Sequence, residues 1–269
     1  MIAKEEAMLI KQEILDNWMS EDGLLCLDPV NNEGERPPHG EAEFRTAQND
    51  NGLLFVTEFY YLCSIHGILT DSDKSRFEST MKLLTKKTGL YHKNPGRVWR
   101  NSTHDDYIGI VSGSILFGTN HAKEVEDYGS KNFYYYNNTT DNKFRFKYFR
   151  QGSDVAFYKI CAGKIPNPIS YLWMAIRILL SSKTKIDSND SGRMLSWLKL
   201  RAMEKAFDKE NLPFYLKLLK NINNKIKNKF LELIKPSFKN VGEIIQSYYT
   251  PNWPMPFHPI KKLAEGVKF

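Results

Sequence analysis

Between Asn51 and His66 the chain reads NGLLFVTEFYYLCSIH, and Glu58 is its one carboxylate or ammonium group. At helical spacing its apolar residues fall on nearly every face, and a helix of that kind must be surrounded by other elements. No other stretch restricts the fold as much, and the remaining chain offers mostly helices as neighbours. Residues 3–19 put Met8, Leu9, Ile14, Leu15 and Trp18 near helical spacing. Gly67 ends the apolar helix, and Thr70 or Asp71 opens a third that is expected to reach about Lys87 and stop at Gly89. A fourth is expected from about His104, and others over 153–163, 168–182, 191–207 and 211–234, with Pro166, Pro168, Asp187–Gly192 and Pro213 at their ends. The expected fold is therefore all-α: one domain over 1–269 of stacked antiparallel helical hairpins, as in an α/α toroid or an irregular bundle.

Three stretches depart from that pattern. Residues 20–50 hold Pro29, Pro37 and Pro38 among Gly, Asn and Glu, and read as a loop. Residues 131–150 pass from NFYYY through NNTTDN to KFRFKYFR, whose polar and aromatic residues alternate, which predicts a β-hairpin at about 132–149. The tail, about 248–269, is rich in proline and aromatics and is expected to be extended.

Charge and cysteine usage exclude some functions. Lys and Arg outnumber Asp and Glu by 38 to 31, a net +7 mixed along the chain, so the balance alone is a weak pointer to nucleic acid and leaves that partner open. The lysine-rich helix around Lys217–Lys229 reads first as a solvated face, and second as a surface for an anionic partner. Cys26, Cys63 and Cys161 lie far apart with no CxxC pair, which argues against a disulfide framework or zinc ribbon and suits a reducing compartment. The first residues, MIAKEEAMLIKQEILDNW, lack the apolar core of a signal peptide. No apolar run reaches the ~18 residues a membrane span needs.

The chemistry-bearing residues concentrate in Gly89–Gly118, GLYHKNPGRVWRNSTHDDYIGIVSGSILFG. His104, Asp105 and Asp106 open a helix there, where acids also serve as caps and complement the helix dipole. Ser102 or Thr103 would be the N-cap, and Gly109, Ser112, Gly113 and Ser114 form a small-residue face that admits a close neighbour. Glu58, alone in its apolar helix, needs an ion-pair partner or a wet cavity. These groups allow a glycosidase reading, with Glu58 and Asp105 or Asp106 as the carboxyl pair and His104 beside them. Tyr91, Arg97, Trp99, Arg100 and Tyr107 would then line the substrate. They also allow a metal-dependent His–Asp phosphohydrolase, with His66, His104–Asp105, and Asp127 or Asp154 around the ion. The third reading is structural, the polar cluster fixing a loop in a protein that binds without chemistry. No Walker A, GxGxxG or GxSxG motif is present, so no cofactor is expected.

The block GLYHKNPGRVWRNSTHDDYIGI, with the later YYTPNWPMPFHP, resembles uncharacterised proteins encoded by tailed bacteriophages. The matching positions are Gly89, Leu90, Tyr91, Asn94, Pro95, Gly96, His104, Asp105, Asp106, Tyr107, Gly109 and Ile110, then Tyr249, His258 and Pro259. Ser-Thr-His stands here where that family tends to have Ser-His. The resemblance implies a phage origin, and with it a virion component or a protein of the host cytoplasm. Its partners would be saccharides or other phage structural proteins. The helical layout is also similar to that of six-hairpin glycosidases. Together these give the leading expectation, a phage protein that acts on or binds a glycan, with a virion or tail structural or interaction protein as the alternative.

Overall fold

The computed structural model describes residues 2–25, 52–92, 104–134, 136, 148–182, 192–208, 212, 214–237, 239–241, 243–244, 259–265 and 267. Ten helices are assigned among them: α1 (Lys4–Asn17), α2 (Gly52–Ile65), α3 (Asp71–Leu84), α4 (His104–Phe117), α5 (His121–Lys131), α6 (Tyr148–Cys161), α7 (Pro168–Ser181), α8 (Arg193–Phe207), α9 (Phe214–Ile234) and α10 (Pro259–Ala264). The all-α expectation is met, with one small antiparallel strand pair, β1 (Thr85–Lys87) and β2 (Leu90–Tyr91).

That pair lies where continued helix was expected. The third helix ends at Leu84, and the chain turns through Gly89 at φ +78° so that Thr85 pairs with Tyr91. Burial of the Tyr91 ring explains the reversal, since it anchors β2 and draws the backbone back over the end of α3. Most of the hairpin expected over 132–149 lies outside the described residues. At its far end, Tyr148–Arg150 already belong to α6. In the tail, Pro259–Ala264 form a short helix where extended chain was expected.

The apolar helix α2 is indeed enclosed: from Leu53 to Cys63 every residue is buried. It lies along α4, whose small residues permit the approach. A Cβ on Gly109 would stand 2.6 Å from the Leu53 carbonyl oxygen, and one on Gly113 would meet the Phe77 ring at 2.6 Å. Thr57 donates to the Gly109 carbonyl at 3.0 Å and Tyr61 to the Ser112 carbonyl at 3.1 Å. The order of these contacts makes α2 and α4 run in the same direction. Helix α4 is buried from Asp106 to Phe117 and also packs on α5, α6 and α8, which puts it at the centre of the molecule.

The outer helices are tied by polar links. Thr70 and Asp73 form a reciprocal cap at the start of α3. The same Asp73 carboxylate accepts from Lys11 of α1 at 2.5 Å, and Lys11 also donates to the Ile68 carbonyl at 2.9 Å. Helix α10 packs on α1 and α2, and the His66 ring bonds the Leu263 carbonyl at 2.7 Å.

Candidate functional site

Successive helical residues point about 100° apart, so the first three residues of α4 diverge. Asp106 turns inward and is fully buried, while His104 and Asp105 remain half-buried. Helix α6 brings Asp154 to His104, and α8 brings Lys199 to Asp154. The imidazole donates from Nδ1 to Asp105 Oδ1 at 2.8 Å and from Nε2 to Asp154 Oδ2. Lys199 Nζ donates to the other Asp154 oxygen, Oδ1, at 2.5 Å. Asp154 exposes 1% of its side chain and Lys199 7%, whereas His104 exposes 35%.

The electrostatics follow from this arrangement. Burial disfavours the charged imidazole, but the Asp154 carboxylate and the hydrogen bonds donated to both acids outweigh it, and the His104 pKa is pushed up to about 9. For Asp154, burial would raise the pKa, yet His104 and Lys199 hold it well below the usual carboxylate range. The cluster therefore pairs two basic side chains with two acidic ones. An imidazolium that keeps its proton to about pH 9 is a poor general base near neutrality.

The same geometry bears on the metal reading. His104, Asp105 and Asp154 do come together, as a His–Asp phosphohydrolase would require. However, both imidazole nitrogens are engaged by carboxylates and an ammonium already sits on Asp154. His66 is committed to the Leu263 carbonyl, and Asp127 pairs with Lys123 and Lys164. Among the described residues no three His, Cys, Asp or Glu side chains are grouped so as to hold a metal ion.

Glu58 and Asp106 are both fully buried. Leu53 and Leu54 meet Gly109 where the two helices touch. Asp106 lies three residues before that point on α4, and Glu58 four residues after it on the parallel α2. Rise alone separates them by roughly 10 Å along the axes, with packed core at both ends.

The tyrosines form a second cluster. Tyr107 packs on Tyr136 at 4.2 Å between ring centroids, and Tyr136 stacks on Tyr128 at 5.7 Å. The Tyr107 hydroxyl accepts the Tyr91 backbone N–H at 3.2 Å. The Tyr91 hydroxyl in turn donates to Glu124 at 3.1 Å. Burial raises the hydroxyl pKa of Tyr91, Tyr107, Tyr136 and Tyr158, so none of them ionises near neutral pH. Tyr91 and Tyr107, two of the five expected substrate contacts, are thus core residues with less than 2% exposure. The other three, Arg97, Trp99 and Arg100, lie outside the described residues, as do the capping candidates Ser102 and Thr103.

A cleft of about 280 Å³ lies apart from these groups, where the end of α8 meets α9, lined by Glu204, Phe207, Asp208, Lys220 and Lys227 among others. Its acids are matched by bases: Glu204 pairs with Lys227 and Arg201, and Asp208 with Lys220.

Sequence reading named Asp154 only as one optional metal ligand, and it missed Lys199. A signal for both was present. Asp154 stands three and four residues before the buried Phe157 and Tyr158, and Lys199 stands four after Leu195 and three before Ala202. A charge on an apolar helical face implies a partner, the argument applied to Glu58. Compared with protein-family models, curated proteins and solved structures, the chain matches none.

Proposed function

We propose that this chain is a non-enzymatic interaction protein, and, following its resemblance to phage-encoded proteins, a virion- or tail-associated one. The observation that carries the reading is the burial or mutual pairing of its acids and bases. Glu58 and Asp106 are sealed in the core, and His104, Asp105, Asp154 and Lys199 neutralise one another across three helices. A pair of glycosidase carboxyls needs a substrate between them, and both of these carboxyls are fully buried. The polar residues act as fasteners that fix α4, α6 and α8 in register.

A binding role toward glycans keeps one supporting observation. Tyr128, Tyr134 and Tyr136 are partly exposed, and Tyr134 and Tyr136 are held in place by bonds to Glu126 and to the Val125 carbonyl. Fixed tyrosine faces can stack sugar rings.

The test compares Glu58→Gln, Asp106→Asn and His104→Ala variants with the parent chain. Lower melting temperature without saccharide turnover, saccharide binding or bound metal is the expected result. Turnover lost in Glu58→Gln and Asp106→Asn but insensitive to chelator would establish a glycosidase. Metal found by elemental analysis and lost in His104→Ala would establish a metal site. Mass spectrometry of purified particles, with the chain at fixed copy number, is the expected outcome for a virion role.

A further inference from the structure

Helix α7 is apolar on two opposite faces, with Ser170 and Arg177 half-buried on the flank between them. One face packs inward through Tyr171, Met174, Ala175 and Ile178, and the residues on the opposite face are Pro168, Ile169, Leu172, Ile176 and Leu180. Every residue of α7 classed as exposed is thus apolar, at 37–79% for the Ile and Leu side chains. Ile165, just before the helix, extends the row. An exposed helix face with no polar residue on it is suited to being covered.

Helix α9 adds to the same surface. Its outer side begins with Phe214, Leu218 and Ile222, exposed by 84%, 55% and 39%. The Tyr215 hydroxyl donates to the Gly163 carbonyl at 3.4 Å, so the start of α9 lies beside the approach to α7. The two helices also pack on each other, so the two apolar rows belong to neighbouring elements.

We infer that this face is covered by a second copy of the chain, with α7 packing against its counterpart across a two-fold axis. Three observations select that occupant. The eight exposed apolar side chains amount to surface on the order of the ~800 Å² that each partner gives to a standard stable interface. That is more than the roughly 300–600 Å² of the largest apolar patch on a typical monomer. Secondly, Ile169, Leu172 and Ile176 have coiled-coil spacing with Ile and Leu alternating, the choice that favours pairs of helices. Thirdly, the exposed row of α7 has no charge, so bringing it against itself creates no repulsion. On α9 the exposed Lys217 and Asn221 stand between the apolar residues, and Lys225 and Lys229 lie beyond Ile222. An isologous contact of this kind is the commonest way in which one chain covers its own apolar surface. It is independent of the function proposed above.

Light scattering on the full chain after size exclusion tests it. At micromolar concentration the parent chain is expected at twice the monomer mass. The Leu172→Glu/Ile176→Glu double variant is expected at the monomer mass with an unchanged far-ultraviolet circular dichroism spectrum, because both side chains face outward. Should the double variant lose its helical spectrum, Leu172→Glu alone supplies the reading, again as a monomer. A monomeric parent chain overturns the inference, as does a dimer that survives substitution. A monomer that pellets with vesicles of anionic lipid would overturn it in favour of a membrane surface.

Discussion

Replacing Asp154 with Asn keeps the shape of the side chain and removes the charge on which two cations depend. Lys199, 7% exposed, would then face a neutral amide. Removing one partner of a buried ion pair costs about 3–5 kcal/mol. His104 contributes to the same total. Its rise from 6.5 to about 9 corresponds to about 3 kcal/mol, and screening at an imidazole that is 35% exposed reduces this to about 1–2 kcal/mol. The two terms share one carboxylate and do not add, so the expected loss at neutral pH is about 3–5 kcal/mol. The His104 part has a definite pH signature. Because the folded pKa lies above the unfolded one, its stabilisation is complete below about pH 6.5 and is lost as pH rises through about 9. Asp154 acts in the opposite sense: its depressed pKa gives stability that is present above the ordinary carboxylate range and lost as pH falls toward the folded value. Urea melts between about pH 2 and pH 10 measure both, and a nuclear magnetic resonance titration of the His104 ring locates its pKa directly. In Asp154→Asn the alkaline decline should flatten, with His104 titrating near its ordinary 6.5 or below. A loss under about 1 kcal/mol, or a His104 pKa still near 9 in the variant, would refute the assignment of Asp154 as the centre of the network.

Other substitutions probe the packing. Lys199→Met leaves Asp154 its bond to His104, so urea melts should show a smaller loss than Asp154→Asn, about 1–2 kcal/mol. Gly109→Ala would drive a methyl group to 2.6 Å from the Leu53 carbonyl oxygen, and backbone cannot yield as a side chain does. Its melting temperature should fall in line with a loss of about 3 kcal/mol. Gly67→Ala and Gly89→Ala form a matched pair, both at positive φ. The first meets nothing within 4 Å and should cost only backbone strain, about 1–2 kcal/mol. The second would meet the Glu124 carbonyl oxygen at 2.2 Å and should lose several times as much in the same denaturation assay. Thr70→Ala removes the reciprocal cap of α3 and should cost about 1 kcal/mol.

How much of this was legible in the sequence depends on the range of the interaction. The helices were legible because periodicity and stop signals are local: α2, α3, α4, α7, α8 and α9 begin within about three residues of their expected starts. The small-residue face of α4 was legible too, since Gly109 and Gly113 serve only a close approach. The β1–β2 pair was not foreseen because its cause is distant. Tyr91 is held by Tyr107 and Glu124, neither of which a local reading of residues 85–91 contains. The candidate site divides in the same way. His104, Asp105 and Asp106 were visible as a cluster in the chain, but which of them faces which neighbour depends on how α6 and α8 pack. Asp154 lies 50 residues from His104, and Lys199 a further 45 from Asp154. No spacing rule connects such positions, although each was marked by a charge set among apolar neighbours.

The bond between His66 and the Leu263 carbonyl spans 197 residues, and it sets a waiting time. At a ribosomal rate of about 5–20 residues per second, the chain that covers α1 and α2 follows α2 out by on the order of ten to forty seconds. Helix α2, among the most apolar segments of the protein, is made early and is enclosed on the side of α10 only late. During that interval its safety against aggregation rests on what has already emerged, above all α4, whose glycines let it close over α2 after about fifty residues of further synthesis. The close packing of α2 on α4 would then be the first lasting shelter of the core, and a bulky residue at Gly109 would be felt in soluble yield before it is felt in the melting temperature of the protein that survives.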